Sequence, residues 1–331
     1  MTELNIKEYI TQLRERHPDL VVIIYGPTAT GKSGLSLRLA DLFAKEKIGL
    51  EIISADSRQV YRYMDIGTDK ISQEDRDRIP HYGIAVVNPD EEYTAHQRQQ
   101  DTKKWISDIL GRENIPVIVG GTGLYIDTIY KNFNLPQDVK ANRERRAELD
   151  ELELQDPGYL RKYLHEIDPD TAVEFHPKNT RYIIRAIEIY EQTGIPKSII
   201  AQEHPVDHPL LMISLNRNRD ITTQLIRTRV EEMINRGLIG EVQSLLSQGY
   251  SPNLQSMNGI GYRQTVDWLK VKSGKLKVEG PYKPSDVTDL INSITLASVQ
   301  YAKRQRTRFR RYQKDAHEHP KEKVYYLEVG L

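Results

Sequence analysis

Gly26-Pro27-Thr28-Ala29-Thr30-Gly31-Lys32-Ser33 has the residue types and spacing that hold a phosphate chain. The stretch fits G-x-x-x-x-G-K-[ST]. In that pattern glycines let backbone N–H groups turn toward an anion, the lysine supplies a point charge and the serine hydroxyl reaches a phosphate-bound Mg²⁺. The N-terminus of a following helix adds partial positive charge. Gly26, Thr28, Ala29, Thr30, Gly31, Lys32 and Ser33 are therefore the candidate di- or triphosphate-binding residues, with Ser33 the candidate metal ligand. The competing reading is a glycine turn of structural purpose only. The flanks favour a phosphate site: Val21 to Tyr25 reads as a buried strand, and Leu35, Leu37, Leu39, Leu42 and Phe43 read as an amphipathic helix.

A phosphate loop does not say what becomes of the phosphates. An NTPase usually adds an apolar strand ending in Asp, for Mg²⁺ or water. Here the strand at 116–119 ends in Gly120-Gly121-Thr122. The carboxylate at a strand end near the loop is Asp56, after the run Leu50 to Ser54. It could serve as a general base or orient an acceptor. It could equally cap the following turn, since Asp-Ser is a good cap.

The elements that position these residues follow from the apolar pattern. Short apolar strands alternate with helices: strands at 20–25, 50–54, 116–119 and 210–215, a return of apolar residues at 84–87, and helices at 1–16, 32–46 and 94–111. That alternation predicts an α/β fold with a parallel sheet covered on both faces, whose ligands bind at the carboxyl ends of the strands. From 131 to 200 charged helical segments dominate, which predicts a helical insertion between a first core part, 1–130, and a second, 201–331. Helices at 219–236, 238–248 and 286–311, a loop at 271–286 and an added edge strand at 325–329 complete the reading.

Composition narrows the class. The 331 residues are 38% apolar and 28% charged, with no cysteine and a formal net charge of zero. Disulfides and thiolate zinc sites are excluded, and a reducing, cytoplasmic setting is the expectation. No apolar run approaches the roughly 18 residues of a membrane span. No global field draws nucleic acid, yet Lys303, Arg304, Arg306, Arg308, Arg310, Arg311 and Lys314 fall within twelve residues that hold no acid. The patch is either a phosphate-contacting surface or a solvated helix face.

Several segments, in order, resemble the tRNA dimethylallyltransferases (tRNA isopentenyltransferases). They are the phosphate loop, Ser54-Ala55-Asp56-Ser57-Arg58-Gln59-Val60-Tyr61, Met64-Asp65-Ile66-Gly67-Thr68, Gly120-Gly121-Thr122-Gly123-Leu124-Tyr125, Arg185-Ala186-Ile187-Glu188 and Gly259-Ile260-Gly261-Tyr262-Arg263-Gln264. The length resembles the bacterial form. The resemblance implies a core of the P-loop nucleotide-kinase type with a helical insertion. It implies transfer of a dimethylallyl group from its diphosphate to N6 of adenosine 37, beside the tRNA anticodon, with Mg²⁺ and without ATP hydrolysis. Diphosphate is then a leaving group, which accounts for a phosphate loop without an NTPase carboxylate. Asp56, Thr122 and Arg229 become the catalytic candidates, with Arg219 and Arg227 as alternative diphosphate ligands. Asp56, Ser57, Arg58, Gln59, Thr122, Arg146, Arg181, Arg185 and Gln264 become candidates for contact with the tRNA anticodon stem-loop. A monomer without membrane attachment is expected. The chain departs from the family pattern at Tyr182, where arginine is usual, and at Arg308, where tryptophan is usual.

Three rival readings have distinguishing features. A relative that prenylates free AMP, ADP or ATP would not need the long insertion and basic C-terminal helix. A small-molecule kinase is at odds with the Gly-Gly-Thr strand end. A non-enzymatic RNA-binding module leaves the phosphate loop and Asp56 unexplained.

Overall fold

The structure, a computed structural model, describes residues 2–137, 139–273 and 284–330. The strands are β1 (Val21–Tyr25), β2 (Leu50–Ala55), β3 (His81–Tyr82), β4 (Ile115–Gly120), β5 (Leu210–Asn216) and β6 (Val324–Gly330). They form one six-stranded sheet in the order β3-β2-β4-β1-β5-β6, and every pairing is parallel. β1, β2 and β4 are buried at every position, which is why they read as unbroken apolar runs.

The helices are α1 (Glu3–Arg16), α2 (Lys32–Ala44), α3 (Gln73–Arg78), α4 (Ala95–Gly111), α5 (Gly123–Tyr130), α6 (Arg143–Gln155) and α7 (Tyr159–Ile167). They continue with α8 (Pro169–Glu174), α9 (Thr180–Thr193), α10 (Lys197–Ile200), α11 (Arg219–Asn235), α12 (Leu238–Ser247), α13 (Tyr262–Ser273) and α14 (Pro284–Glu318). No helix among the described residues is long and apolar enough to cross a membrane.

Strand alternation sends Val22 and Ile24 to one face of the sheet, where they join Ile6 and Ile10 of α1 and Leu35, Leu39 and Phe43 of α2. Tyr25 faces the other way, its ring edge-on to Phe309 and Tyr312 of α14 at 5.3 and 5.2 Å. Helices therefore cover both faces. Each fully buried aliphatic chain in these layers contributes roughly 1.5–3 kcal/mol of burial.

The chain divides into two compact units. One comprises Met1–Thr94, Arg98–Ile126 and Val206–Leu331, and the other Ala95–Gln97 and Asp127–Pro205. The second unit has its own core of Leu149, Leu160, Leu164, Ile183 and Ile187. Asp168 fastens it locally, one carboxylate oxygen accepting from Thr171 N at 3.1 Å and the other from Ser198 N at 3.0 Å.

Three segments differ from the sequence reading. Residues 84–87 form no strand of the sheet; Gly83 and Ala85 have positive φ (74° and 52°), which breaks an extended run. The segment instead ties down the loop after β2, Ala85 N donating to Gln59 O at 2.9 Å and Val86 N to Val60 O at 2.7 Å. α14 extends well past the expected end at 311. Of the loop expected at 271–286, residues 271–273 end α13 and 284–286 begin α14, and 274–283 lie outside the described residues.

Candidate active site

Register brings the chemistry together. Tyr25 of β1 pairs with Gly120 of β4, and Gly120 pairs with Ala55 of β2. The next residues along these strands, Gly26, Gly121 and Asp56, therefore leave the sheet side by side at its carboxyl edge. On the other flank Tyr25 pairs with Ser214 of β5. Gly26 has φ +154°, and a Cβ there would collide with the carbonyl of Leu215, so only glycine lets the loop leave β1 this close to β5.

Within the loop, buried Thr30 donates its hydroxyl to Pro27 O at 2.8 Å, and Lys32 Nζ donates to the same carbonyl at 2.7 Å. Ala29, though not glycine, sits at φ 61°, a left-handed conformation that folds the loop tightly. Burial and the neighbouring Arg229 push the Lys32 ammonium down to about 7, with Asp56 pulling the other way. Arg229, on α11, donates to Asp69 Oδ2 at 2.9 Å and to the Thr28 hydroxyl. Two cations thus converge on one short loop, Arg229 shared with Asp69 and Lys32 with no ion pair of its own among the described residues, a site that an anion completes. Arg227 instead pairs with Glu231 at 3.0 Å on its own helix, and Arg219 lines a separate cleft.

Asp56 satisfies both of its sequence readings. Oδ1 accepts from Arg58 N at 2.8 Å, the turn-capping bond, while Oδ2 takes no hydrogen bond among the described residues. The free oxygen is what a base needs. Thr122 is fixed beside it: its Oγ1 accepts from Ser57 N at 3.0 Å, and its own N–H donates to Ala55 O at 3.0 Å. Arg58 and Gln59 also make bonds that hold the local fold. Arg58 Nη1 donates to Gln255 O at 2.8 Å. The Gln59 amide accepts from Ser54 Oγ at 2.8 Å and donates to Thr68 O and Asp69 O at 3.3 Å, so it is spent tying β2 to the next loop.

Three residues of this site were not among the candidates read from the sequence. Gln305 of α14 is buried and bridges the loop to the β4 end, accepting from Thr28 N at 2.8 Å and donating to Gly121 O at 2.9 Å. Tyr301, one turn earlier, shares hydrogen bonds with Thr122 and Gln305, and burial and the field of Asp56 push its hydroxyl up. Arg98 of α4, only 1% exposed, donates to Ser54 O and stacks over Trp105 and Tyr125 at 4.9 and 5.3 Å. The i, i+4 spacing of Tyr301 and Gln305 on one helix face is the signal that could have paired those two.

The motif residues 64–68 and 259–264 support the site from behind. The Glu241 carboxylate collects the N–H groups of Asp65, Ile66 and Gly67 at 2.8, 2.8 and 3.2 Å and the Tyr262 hydroxyl. The Tyr262 ring lies where a Cβ on Gly67 would be. Gln264, expected at the RNA, accepts from Gly261 N at 2.9 Å and closes that turn. The packing holds the loop that presents Asp69 to Arg229.

In the helical unit, Arg146 and Arg185, candidates for tRNA contact, are both tied to one acid. Arg146 makes a two-pronged pair with Glu188, at 2.7 and 2.8 Å, and Arg185 reaches the same carboxylate at 3.2 Å. Glu188 is 1% exposed, and an unpaired buried carboxylate is costly, so both guanidiniums are held to it. Burial alone would raise the Glu188 pKa, but hydrogen bonds from Arg146, the Asn142 backbone and Arg185 outweigh it and hold the group low. Arg181 is exposed and makes no ion pair among the described residues. The basic run 303–314 is likewise divided. Arg306 and Arg310 line the cleft already mentioned, Arg308 lies against Gly123, and Lys314 pairs with Glu318 at 3.4 Å.

The residues present suit a hard cation that arrives with its own oxygens. No cluster of three or more His, Asp or Glu is placed to hold a metal among the described residues, so the protein donor near the loop is the exposed Ser33 hydroxyl. Mg²⁺ keeps most of its ligands as phosphate and water, which is the donor set such a site offers.

Comparison with known proteins adds the context. A family model described as IPP transferase matches residues 59–312. The chain is 41% identical over 292 residues to the tRNA dimethylallyltransferase of Thermotoga petrophila, covering 88% of this chain and 90% of that one. It is 40% identical over 300 residues to that of Pelotomaculum thermopropionicum, covering 90% of each. Among solved structures, the tRNA isopentenylpyrophosphate transferase of Bacillus halodurans is similar, with TM-score 0.61, 34% identity and coverage of 94% and 90%. A eukaryotic dimethylallyltransferase captured acting on tRNA has TM-score 0.70 at 30% identity, covering 93% of this chain and 73% of that one.

Proposed function

The chain belongs to the IPP transferase family, and from that premise we propose that it transfers the dimethylallyl group of dimethylallyl diphosphate to N6 of adenosine 37 in tRNA. The observation that carries the reading is the juxtaposition at one sheet edge of a cationic phosphate loop and a carboxylate with one free oxygen.

The donor diphosphate lies on the loop N–H groups, with Lys32 and Arg229 against its oxygens. N6 of the adenosine attacks the first carbon of the dimethylallyl group as the carbon–oxygen bond breaks. The electron pair leaves with the diphosphate, and Lys32 and Arg229 stabilise the charge that builds there. The proton lost by N6 passes to Asp56 Oδ2. Thr122, held by Ser57 and Tyr301, orients the adenine edge. Gln305 keeps the loop and the Gly121 strand end in register, so donor and acceptor meet at a fixed spacing. A Mg²⁺ on Ser33 and the phosphates supplies further neutralisation when bound. An adenosine stacked in an anticodon loop must turn out of the stack to reach such a recess. Exposed Arg181, Lys303 and Arg304 are available to backbone phosphates.

The test is incubation with radiolabelled dimethylallyl diphosphate, Mg²⁺ and unmodified tRNA carrying adenosine 37, followed by nucleoside analysis. The expected product is labelled N6-dimethylallyladenosine at that position. Label on AMP or ATP, with none on tRNA, overturns the reading in favour of a mononucleotide acceptor.

A further inference from the structure

Between the ends of β5 and β6 and helix α14 lies a cleft of about 670 Å³, one wall of which is Gly26 and Pro27 of the phosphate loop. The strand order puts it on the opposite flank of β1 from Asp56 and Thr122. Arg217, Arg219, Arg306 and Arg310 all line it. The acid in the lining is Glu328, which accepts from Gln313 at 2.9 Å.

Several arginines elsewhere in the molecule are matched to acids. Arg112 is matched to Glu51, Arg145 to Glu191, Arg146 to Glu188 and Arg229 to Asp69. None of the four cleft arginines has a carboxylate partner among the described residues. Arg217 Nε is buried with no hydrogen-bond partner among the described residues. Arg306 is held in place by Thr222 Oγ1 at 2.8 Å, although burial and the nearby Arg219 both work against its charge. The N-terminus of the long helix α11 opens at the same place, with Asn218 as its cap. Like charges kept close without counter-charge are a standing repulsion, which a bound anion removes.

We propose that this cleft is a second anion site, which takes inorganic diphosphate as it leaves the phosphate loop. The proposal rests on the reading that diphosphate is the leaving group. Four arginines against one carboxylate leave an excess of three positive charges, matched to a diphosphate carrying about three negative charges near neutrality. The two sites share the Gly26-Pro27 wall, so an anion that leaves the loop on this flank meets the cleft before bulk solvent. The concave form suits a small ion, whereas an RNA backbone is gripped along an extended surface.

The experiment is calorimetric titration of the full chain with inorganic diphosphate, inorganic phosphate in a parallel arm, and an anticodon stem-loop RNA in a third. The wild type should bind two diphosphates. Lys32→Ala should remove the loop site and leave one. Arg219→Ala combined with Arg310→Ala, both at exposed positions where the fold is safe, should weaken the cleft site by at least about tenfold and spare the other. A single wild-type site abolished by Lys32→Ala overturns the cleft and leaves the proposed function standing. Two sites both indifferent to Lys32→Ala would instead remove the diphosphate reading of the loop, and the cleft assignment with it. Phosphate filling the cleft as tightly as diphosphate overturns the assignment to diphosphate. RNA affinity falling about tenfold in the double variant, with diphosphate stoichiometry unchanged, overturns it in favour of a backbone contact.

Discussion

Donor binding should take up a proton, and Lys32 should be the group that receives it. In the free protein, burial and Arg229 hold this ammonium at about 7, against an ordinary 10.5. Anionic oxygens placed against it favour the charged form, so the bound value moves back toward the ordinary one. Below pH 7 the lysine is charged in both states and adds no pH dependence of its own. Above pH 7 the free form loses its charge while the bound form keeps it, so each further pH unit weakens binding about tenfold. At pH 9 about one free molecule in a hundred carries the charge, which corresponds to roughly 2.7 kcal/mol of lost binding. Above pH 7 the donor does not confuse the reading, because its terminal phosphate has a second pKa near 6 and is almost fully ionised there. Without tRNA the donor is not consumed, so its Kd follows from calorimetry between pH 7 and 9. Repeating the titration in buffers of different ionisation heat counts the protons, with close to one expected at pH 8.5. Lys32→Arg, charged throughout, should give a flat profile, and Lys32→Met a flat and weak one. A wild-type Kd constant from pH 7 to 9, or a slope that survives in Lys32→Met, would refute the reasoning.

Arg229→Ala removes the cation that joins Thr28 to Asp69 and should raise the donor KM about 10- to 150-fold, the range of one charged hydrogen bond, whereas Arg227→Ala stays near wild type; equal effects would contradict the assignment. Asp56→Asn keeps an oxygen for Arg58 N–H but cannot take a proton. Its kcat should fall about 10²- to 10⁴-fold while tRNA affinity holds, and a loss of affinity alone would count against a proton-accepting role. Glu188→Ala removes the charged hydrogen bonds of two part-exposed guanidiniums and should destabilise the helical unit by about 1.5–3 kcal/mol, read as lost hydrogen-exchange protection in α6 and α9. Because the Glu188 pKa is held below 4.5, its contribution is complete above that pH and should be lost as pH falls through the lower folded value, in the same exchange measurement. Arg181→Ala should leave turnover at saturating tRNA unchanged and reduce the slope of log affinity against log salt by about 0.7–0.9; an unchanged slope means that Arg181 meets no phosphate.

What could be seen in the sequence was whatever the backbone writes contiguously. The phosphate loop is eight consecutive residues, β1, β2 and β4 are unbroken apolar runs, and Asp56 follows directly on a strand. Partners are another matter. Gln305 is 277 residues from Thr28, and nothing in either neighbourhood says that they bond. Arg98 sits in a polar helix and reads as a surface charge, yet the fold closes Trp105 and Tyr125 over it. Arg146 and Arg185 have the residue type that RNA contacts require, and nothing along the chain says that both also pair with Glu188, a carboxylate in a helical core that needs partners.

The basic run at 303–314 makes the same point in a form that could have been worked out beforehand. Counted along the chain its seven cations are equivalent. Wound into α14 they are not, since residues four apart share a face and residues two apart do not. Arg306 and Arg310 fall together beside the phosphate loop, and Tyr301 and Gln305 fall together beside Thr122 and Thr28. One helix thus presents Tyr301, Gln305 and Arg308 to the reacting centre, and Arg306 and Arg310 to the cleft beside it. Arg308, which stands where the family resemblance leads one to expect tryptophan, is three residues on from Gln305 and seven from Tyr301, so it shares their face and packs against Gly123. The substitution therefore changes the wall next to Thr122 without adding charge to the cleft. Restoring the aromatic, Arg308→Trp, should leave diphosphate binding to both sites as it was and alter only the acceptor side of the reaction.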